Sequence, residues 1–132
     1  MDKGSIFEAV KESLIEELGV EEKDVNMDAS FYNDLGLESL DLLKLFFGLE
    51  KKITVRITMK EIQGLLQGNI SEEEFFDENG LVSKAGLEHL QKLFPEYNLV
   101  EIAGELDQLK LFSLFTVRHL VNMIAEKAYS MA

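Results

Sequence analysis

An all-α fold is what this sequence predicts, on three observations. The 132 residues are 46% hydrophobic, enough to build a single core in a chain of one-domain size. Where the apolar residues keep a sustained period, it is mostly the helical one. Several of those segments open on a hydroxyl residue that can act as a helix cap, three of them with glutamate three positions later, which is the pattern of a capping box.

The first helix is expected from Ser5-Ile-Phe-Glu8, a capping-box spacing, through Ile6, Val10, Leu14 and Leu18 to a glycine cap at Gly19. Residues 20–38 hold no period and carry the turn formers Asn26, Asp28, Asn33 and Gly36, so a long ordered loop is expected there. A second helix runs from Ser39 to about Lys52. Rotating 100° per residue gathers Asp41, Lys44, Gly48, Lys51 and Lys52 on one arc. Leu40, Leu42, Leu43, Phe46, Phe47, Leu49 and Ile53 cover about half the circumference, wider than the roughly 100° stripe that docks a helix on one core. Either this helix is central and packed on two sides, or part of its surface meets a ligand or partner.

Ile53-Thr-Val-Arg-Ile-Thr58 alternates as a strand would. Thr58-Met-Lys-Glu61 then starts a short helix ending near Gly64 or Gly68, and Ser71-Glu-Glu-Glu74 repeats the start signal. Beyond the turn at Asp77-Glu-Asn-Gly80, a helix from Ser83 turns Leu87, Leu90 and Phe94 inward, with Pro95 behind it. Residues 97–115 are apolar without clear phase. The last helix is capped by Thr116 and carries Val117, Leu120, Val121, Ile124 and Ala128.

Charge narrows the function. Acidic residues outnumber basic ones 25 to 13, and the net charge of -12 repels polyphosphates and anionic membrane surfaces, so nucleic-acid binding is not expected. Residues 1–52 carry -7, residues 53–110 carry -6 and residues 111–132 carry +1; the acidity is spread along the chain and is not a tail. The absence of cysteine removes disulfides, thiolate zinc sites and a cysteine nucleophile. Any thiol chemistry must be brought in from outside. With no basic-then-apolar start at Met1–Ser5 and no run of about eighteen apolar residues, a cytoplasmic protein without stable membrane insertion is expected.

The informative stretch is Asp34-Leu-Gly-Leu-Glu38-Ser39-Leu-Asp41. A serine where loop becomes helix stands beside first-turn amides that lack intrahelical partners, a place where an attached phosphate is favoured. The neighbouring Glu38 and Asp41 oppose a free anion but suit a basic enzyme that docks there.

On these residues the chain resembles the acyl carrier protein family, whose signature is Asp-Ser-Leu at the start of the second helix of a four-helix bundle. Asp28-Ala-Ser-Phe31, Asp34-Leu-Gly36, Leu49-Glu50 and Phe115-Thr-Val117 extend the likeness. The resemblance implies that Ser39 receives 4'-phosphopantetheine from coenzyme A and that acyl groups ride as thioesters on the arm. It also implies a carrier and no enzyme. A phosphopantetheinyl transferase and acyl-loading, elongating or acyltransferase enzymes are the expected partners of a monomer. The pathway is expected to be a dedicated one making a fatty acid, a polyketide or an envelope lipid of the lipopolysaccharide type.

Three departures from the family pattern point to a specialised member. Glu38 replaces the usual aspartate. Lys44, Lys51 and Lys52 stand where fatty-acid carriers are often acidic, which disfavours docking to a generic basic surface. Residues 67–111 have no counterpart in compact members. The expected organisation is therefore one carrier domain over 1–132, with a four-helix core from about 1–66 and 112–130 and a mostly helical insertion at 67–111. The insertion is either an ornament with its own core, built on residues such as Phe75, Phe94 and Leu109, or a selector of substrate or partner. Glu38, Leu40, Asp41, Lys44, Lys51 and Lys52 are the expected docking residues.

Rival readings are weaker. Ser39 with His89 or His119 lacks the glycine pattern of a nucleophile elbow, and both histidines fall off the apolar stripes of their helices. His119, with Asn122 and Glu126, reads as a solvated surface histidine. Asp77, Asn79 and Glu88 sit at positions 1, 3 and 12 of a calcium loop, but Val82 takes the position that calls for glycine. An unmodified helical adaptor, binding through Phe46, Phe47 or the insertion, is the remaining alternative.

Overall fold

The computed structural model describes residues 2–131 except 108, 109 and 112. It is helical: α1 (Lys3–Leu18), a 3-10 turn (Glu22–Asp24), α2 (Ser39–Lys52), α3 (Met59–Gln67), α4 (Glu72–Phe75), α5 (Lys84–Leu93), a second 3-10 turn (Ala103–Glu105) and α6 (Val117–Met131). Among the described residues pairing between extended segments is limited to two isolated bridges, Ser30 with Thr116 and Phe76 with Val82.

The chain forms two compact units. One joins Met1–Met59 to Ser113–Ala132, and the other is Lys60–Phe112. The division lies at 59/60, just after the first residue of α3.

In the first unit α1 packs on both α2 and α6. Ile6, Val10 and Leu14 of α1, Leu42, Leu45, Phe46 and Leu49 of α2, and Val117, Leu120, Val121 and Ile124 of α6 are all buried, each set at the helical spacing that makes one apolar face. Helix α1 starts two residues before the expected Ser5, because the Asp2 carboxylate accepts the Ser5 amide at 2.7 Å and caps the helix from there. That bond holds the Asp2 carboxyl below the usual carboxylate range. The expected stop is where the structure has it: Gly19 takes φ 67° and its amide donates to the Ile15 carbonyl.

Gly48 of α2 lies close against α1. A Cβ there would lie 2.8 Å from Glu17 Cγ and 3.3 Å from Ser13 Cβ, which is too close for the backbone spacing to persist. The arc of Asp41, Lys44, Gly48, Lys51 and Lys52 is thus no single solvent face, since Gly48 is buried on α1.

Residues 53–58 are a correction to the sequence reading. Ile53, Val55 and Ile57 are buried while Thr54 and Arg56 are exposed, as alternation requires, yet no strand forms. The segment is held from other directions: the Arg56 guanidinium pairs with Glu50 at 2.8 Å, and Lys127 Nζ donates to the Arg56 carbonyl.

The second unit buries Ile62, Leu66, Phe75, Val82, Leu90, Phe94, Leu99, Leu106 and Leu111. Helices α4 and α5 pack together, and their starts are capped by Ser71 and Ser83, whose hydroxyls accept the Glu74 and Gly86 amides. The chain just after α5 turns around Gln91, whose side-chain amide donates to the Tyr97 carbonyl at 2.8 Å and accepts the Leu99 amide at 3.2 Å. His89 Nε2 lies 3.1 Å from the Leu65 carbonyl near the end of α3. Leu109 of the expected insertion core lies outside the described residues.

Candidate functional site

Ser39 is the first residue of α2, and Glu38 is its N-cap with extended backbone, φ -104° and ψ 176°. The Glu38 carbonyl accepts the Leu42 amide at 3.2 Å, while the Glu38 amide donates to Asp41 Oδ2 at 3.0 Å. This fixes the direction of the first turn. The position of the Ser39 side chain lies outside what the structure describes.

The loop before Ser39 is held by a small polar hub. The Ser30 amide donates to Asp34 Oδ2 at 2.6 Å, its carbonyl accepts the Asp34 and Leu35 amides at 3.0 and 3.1 Å, and its buried hydroxyl donates to the Ser113 carbonyl at 2.9 Å while accepting the Asn33 amide at 3.1 Å. Asp34 is thus a structural carboxylate that closes the turn. Gly36 follows with φ 65°, a left-handed conformation in which a side chain would be strained, and the Leu37 amide then donates to the Phe31 carbonyl at 2.8 Å.

The start of α6 holds the same loop from its other side. A helix leaves its first amides without intrahelical acceptors; here the Val117 and Arg118 amides donate to the Ala29 and Met27 carbonyls at 3.0 and 2.8 Å. Arg118 also contacts Asp28 Oδ1 at 3.0 Å, and Phe31 stacks on Phe115 with ring centroids 5.7 Å apart. The expected cap at Thr116 is present in a reciprocal form. His119 Nδ1 accepts the Thr116 amide at 3.0 Å, and Thr116 Oγ1 accepts the His119 amide at 3.4 Å. Histidine here fills the role that glutamate or glutamine has in a capping box. His119 is therefore a half-buried structural residue and not the solvated surface group the sequence suggested.

The docking residues read from sequence separate into three groups. Glu38, Leu40 and Lys44 are exposed. The Asp41 carboxylate is turned back to the helix start. Lys51 pairs with Glu17 of α1 at 3.6 Å, and Lys52 pairs with Glu16 and Glu12 at 3.0 and 3.4 Å. The bond to Glu16, with Glu12 adding to it, holds the Lys52 ammonium above its usual range. Lys52 thus bridges α2 to α1, while the Lys51 pair stands at the surface.

Of the broad apolar surface on α2, Leu42, Leu45, Phe46 and Leu49 are buried, but Leu40, Leu43 and Phe47 are 72%, 42% and 64% exposed. The helix is not packed on two sides. A depression of about 390 Å³ beside the helix start is lined by residues including Gly19, Asp24, Asp34, Gly36 and Asp41; its carboxylates favour a cationic visitor.

Neither histidine completes a hydrolase. His119 Nδ1 is engaged with Thr116, and His89 Nε2 lies against a backbone carbonyl. Asp77 Oδ1 accepts the Asn79 and Leu81 amides at 2.8 and 3.1 Å, an ordinary polar turn. Among the described residues no group of three metal-ligating side chains comes together, and no helix is long and apolar enough to cross a membrane.

A family profile described as the phosphopantetheine attachment site matches residues 8–67. Over 59 residues the chain is 42% identical to an acyl carrier protein of Solidesulfovibrio magneticus, covering 45% of this chain and 76% of that protein. Over 65 residues it is 34% identical to an acyl carrier protein of Saccharopolyspora erythraea, covering 49% of this chain and 68% of the relative. No solved structure matches.

Proposed function

The chain belongs to the acyl carrier protein family, and on that premise we propose that Ser39 is the residue that takes the 4'-phosphopantetheine arm. Members of this family are carriers and not catalysts, and the domain bears 4'-phosphopantetheine covalently. The observation that carries the assignment to Ser39 is its place as the first residue of α2, directly behind a loop held by Ser30, Asp34 and α6.

The residues present suit such a group. A phosphodiester at a helix start lies at the positive end of the helix dipole, among amides that lack intrahelical partners. Glu38 and Asp41 supply the dipole-matched charge when no phosphate is attached, and with the depression beside them they give a basic transferase an acidic surface to approach. When attached, the arm supplies the thiol that this cysteine-free chain lacks, and acyl groups are held on it as thioesters.

The carrier works in the cytoplasm as a monomer, within a dedicated fatty-acid, polyketide or lipopolysaccharide-type envelope-lipid pathway. Its partners are a phosphopantetheinyl transferase and the loading, elongating or acyltransferase enzymes of that pathway. The working domain is the whole of 1–132, with 1–66 and 112–130 as carrier core and 67–111 as insertion. A specialised pathway is supported by Lys44 on the exposed side of α2 and by the additional length before α6.

Intact-mass spectrometry after incubation with coenzyme A and a phosphopantetheinyl transferase tests the assignment. One phosphopantetheine increment is expected on the wild type and none on Ser39→Ala. No increment with several transferases, or an undiminished increment on Ser39→Ala, would overturn it.

A further inference from the structure

We propose that the second unit carries a docking groove for a basic protein segment that presents one apolar side chain, an interaction built on residues distinct from Ser39 and independent of its assignment. Two depressions on this unit make up the groove. The first, about 160 Å³, is walled by Leu66, Phe75 and Leu111, all buried, and by the half-buried Phe76, which meets Phe75 edge-on with ring centroids 5.1 Å apart. Gln63 and Gln67 also line it, and the Gln67 side-chain amide already donates to the Ile70 carbonyl at 2.9 Å. An apolar cavity of roughly 150 Å³ holds one benzene ring, so the first depression is the size for a single phenylalanine or leucine side chain. The second continues from it. Glu72 and Phe76 line both, and Glu73, Asp77 and Glu78 carry the second over a further 490 Å³ or so.

Charge complementarity names the occupant. Between Lys60 and Lys84 the sequence has no lysine or arginine and six carboxylates, five of which, Glu72, Glu73, Glu74, Asp77 and Glu78, fall within seven residues. All five are exposed, and among the described residues none enters an ion pair. Nor does the fold account for them: Ser71 already caps α4 by accepting the Glu74 amide, and of the five carboxylates only Asp77 is engaged, with the Asn79 and Leu81 amides. Like charges at this density repel one another, and an arriving lysine or arginine relieves that repulsion. A second copy of this chain is a poor occupant, because it brings a further net charge of -12. An apolar anchor seated in a desolvated pocket supplies the affinity, while the carboxylates beside it steer and orient the basic residues that flank the anchor.

The test is a titration of the isotope-labelled full chain with three end-capped synthetic peptides, Lys-Lys-Phe-Lys-Lys, Lys-Lys-Ala-Lys-Lys and Glu-Glu-Phe-Glu-Glu, followed through the backbone amide chemical shifts. The first peptide is expected to move the amides around Leu66, Phe75 and Phe76 and to bind about tenfold more tightly than the alanine peptide. The glutamate peptide is expected not to bind. Glu73→Lys together with Glu78→Lys, both at exposed positions, is expected to weaken the first peptide by about tenfold without lowering the thermal midpoint. Ser39→Ala is expected to bind it as the wild type does, so a failure of the attachment assignment is read separately by mass. Equal affinity for the phenylalanine and alanine peptides, shifts that map outside residues 60–112, no shift at millimolar peptide, or no effect of the double substitution would overturn the proposal. So would a concentration-dependent dimer in sedimentation equilibrium that the double substitution dissolves, because a second copy would then occupy the groove.

Discussion

Ser30 shows how much of the site depends on one short side chain. Its buried hydroxyl joins the Ser113 carbonyl to the Asn33 amide while its own amide is bonded to Asp34. In Ser30→Ala the hydrogen bonds of the hydroxyl to the Ser113 carbonyl and the Asn33 amide are lost, each worth about 0.5–1.5 kcal/mol; urea unfolding with an unchanged m-value is the measurement that checks it. The Thr116–His119 box gives a second residue-scale expectation. His119→Gln keeps a side-chain acceptor three residues into α6, whereas His119→Leu removes it and lowers stability by about 0.5–2 kcal/mol. Equal losses in the two variants would show that the ring's stacking on Phe115, at 5.9 Å, matters more than the cap. Of these roles only the Thr116 cap was legible from sequence. A histidine at the third helical position does not look like a capping partner until its ring is seen turned back, and a serine four residues from an aspartate signals a turn without naming its hub.

Elements were more legible than their partnerships. The turn of helix at α1, α2, α5 and α6 follows from apolar residues at helical spacing, because burying one face on a common core stabilises such a segment more than any other conformation. The alternation at 53–58 misled for a related reason: a period of two reports that one side of an extended segment is buried, and says nothing of whether another segment lies about 4.8 Å away to pair with it. Likewise Gly48 looked like part of a polar arc when it is buried close against α1. Gly48→Leu forces those helices apart and is expected to cost about 1–3 kcal/mol in denaturant unfolding, whereas the same change at the exposed Gly64, where nothing lies within 4 Å, carries no such clash. The lysine clamp between these helices has a pH signature. Lys52 is held above its ordinary value of 10.5 by Glu16 and Glu12, so its contribution is complete below that pH and disappears as the pH rises through the elevated folded-state value. Thermal midpoints of wild type and Lys52→Met are therefore expected to differ by a constant amount near neutrality and to converge above pH 10.5.

For the whole molecule the dominant quantity is the net charge of -12, which stores self-repulsion in the folded chain. Raising ionic strength from about 0.01 to 0.15 M shortens the screening length from roughly 30 to 8 Å, and the thermal midpoint is expected to rise over that range in scanning calorimetry; a fall would mean that the α1–α2 and Arg118–Asp28 ion pairs outweigh the repulsion. Composition, capping signals and the Glu38-Ser39-Leu40 motif were enough for the sequence by itself to determine an all-helical acidic chain, its membership of a carrier family and the helix start at Ser39. These are local or additive properties, carried by neighbouring residues or by simple counts. The tertiary structure alone decided that Lys51 and Lys52 pair with α1 while Lys44 enters no ion pair among the described residues, and that Leu40, Leu43 and Phe47 remain in water. Each of those depends on which side of a helix another element covers. Helical period marks an apolar face as available for packing, but only the path of the chain between helices determines whether anything arrives to cover it.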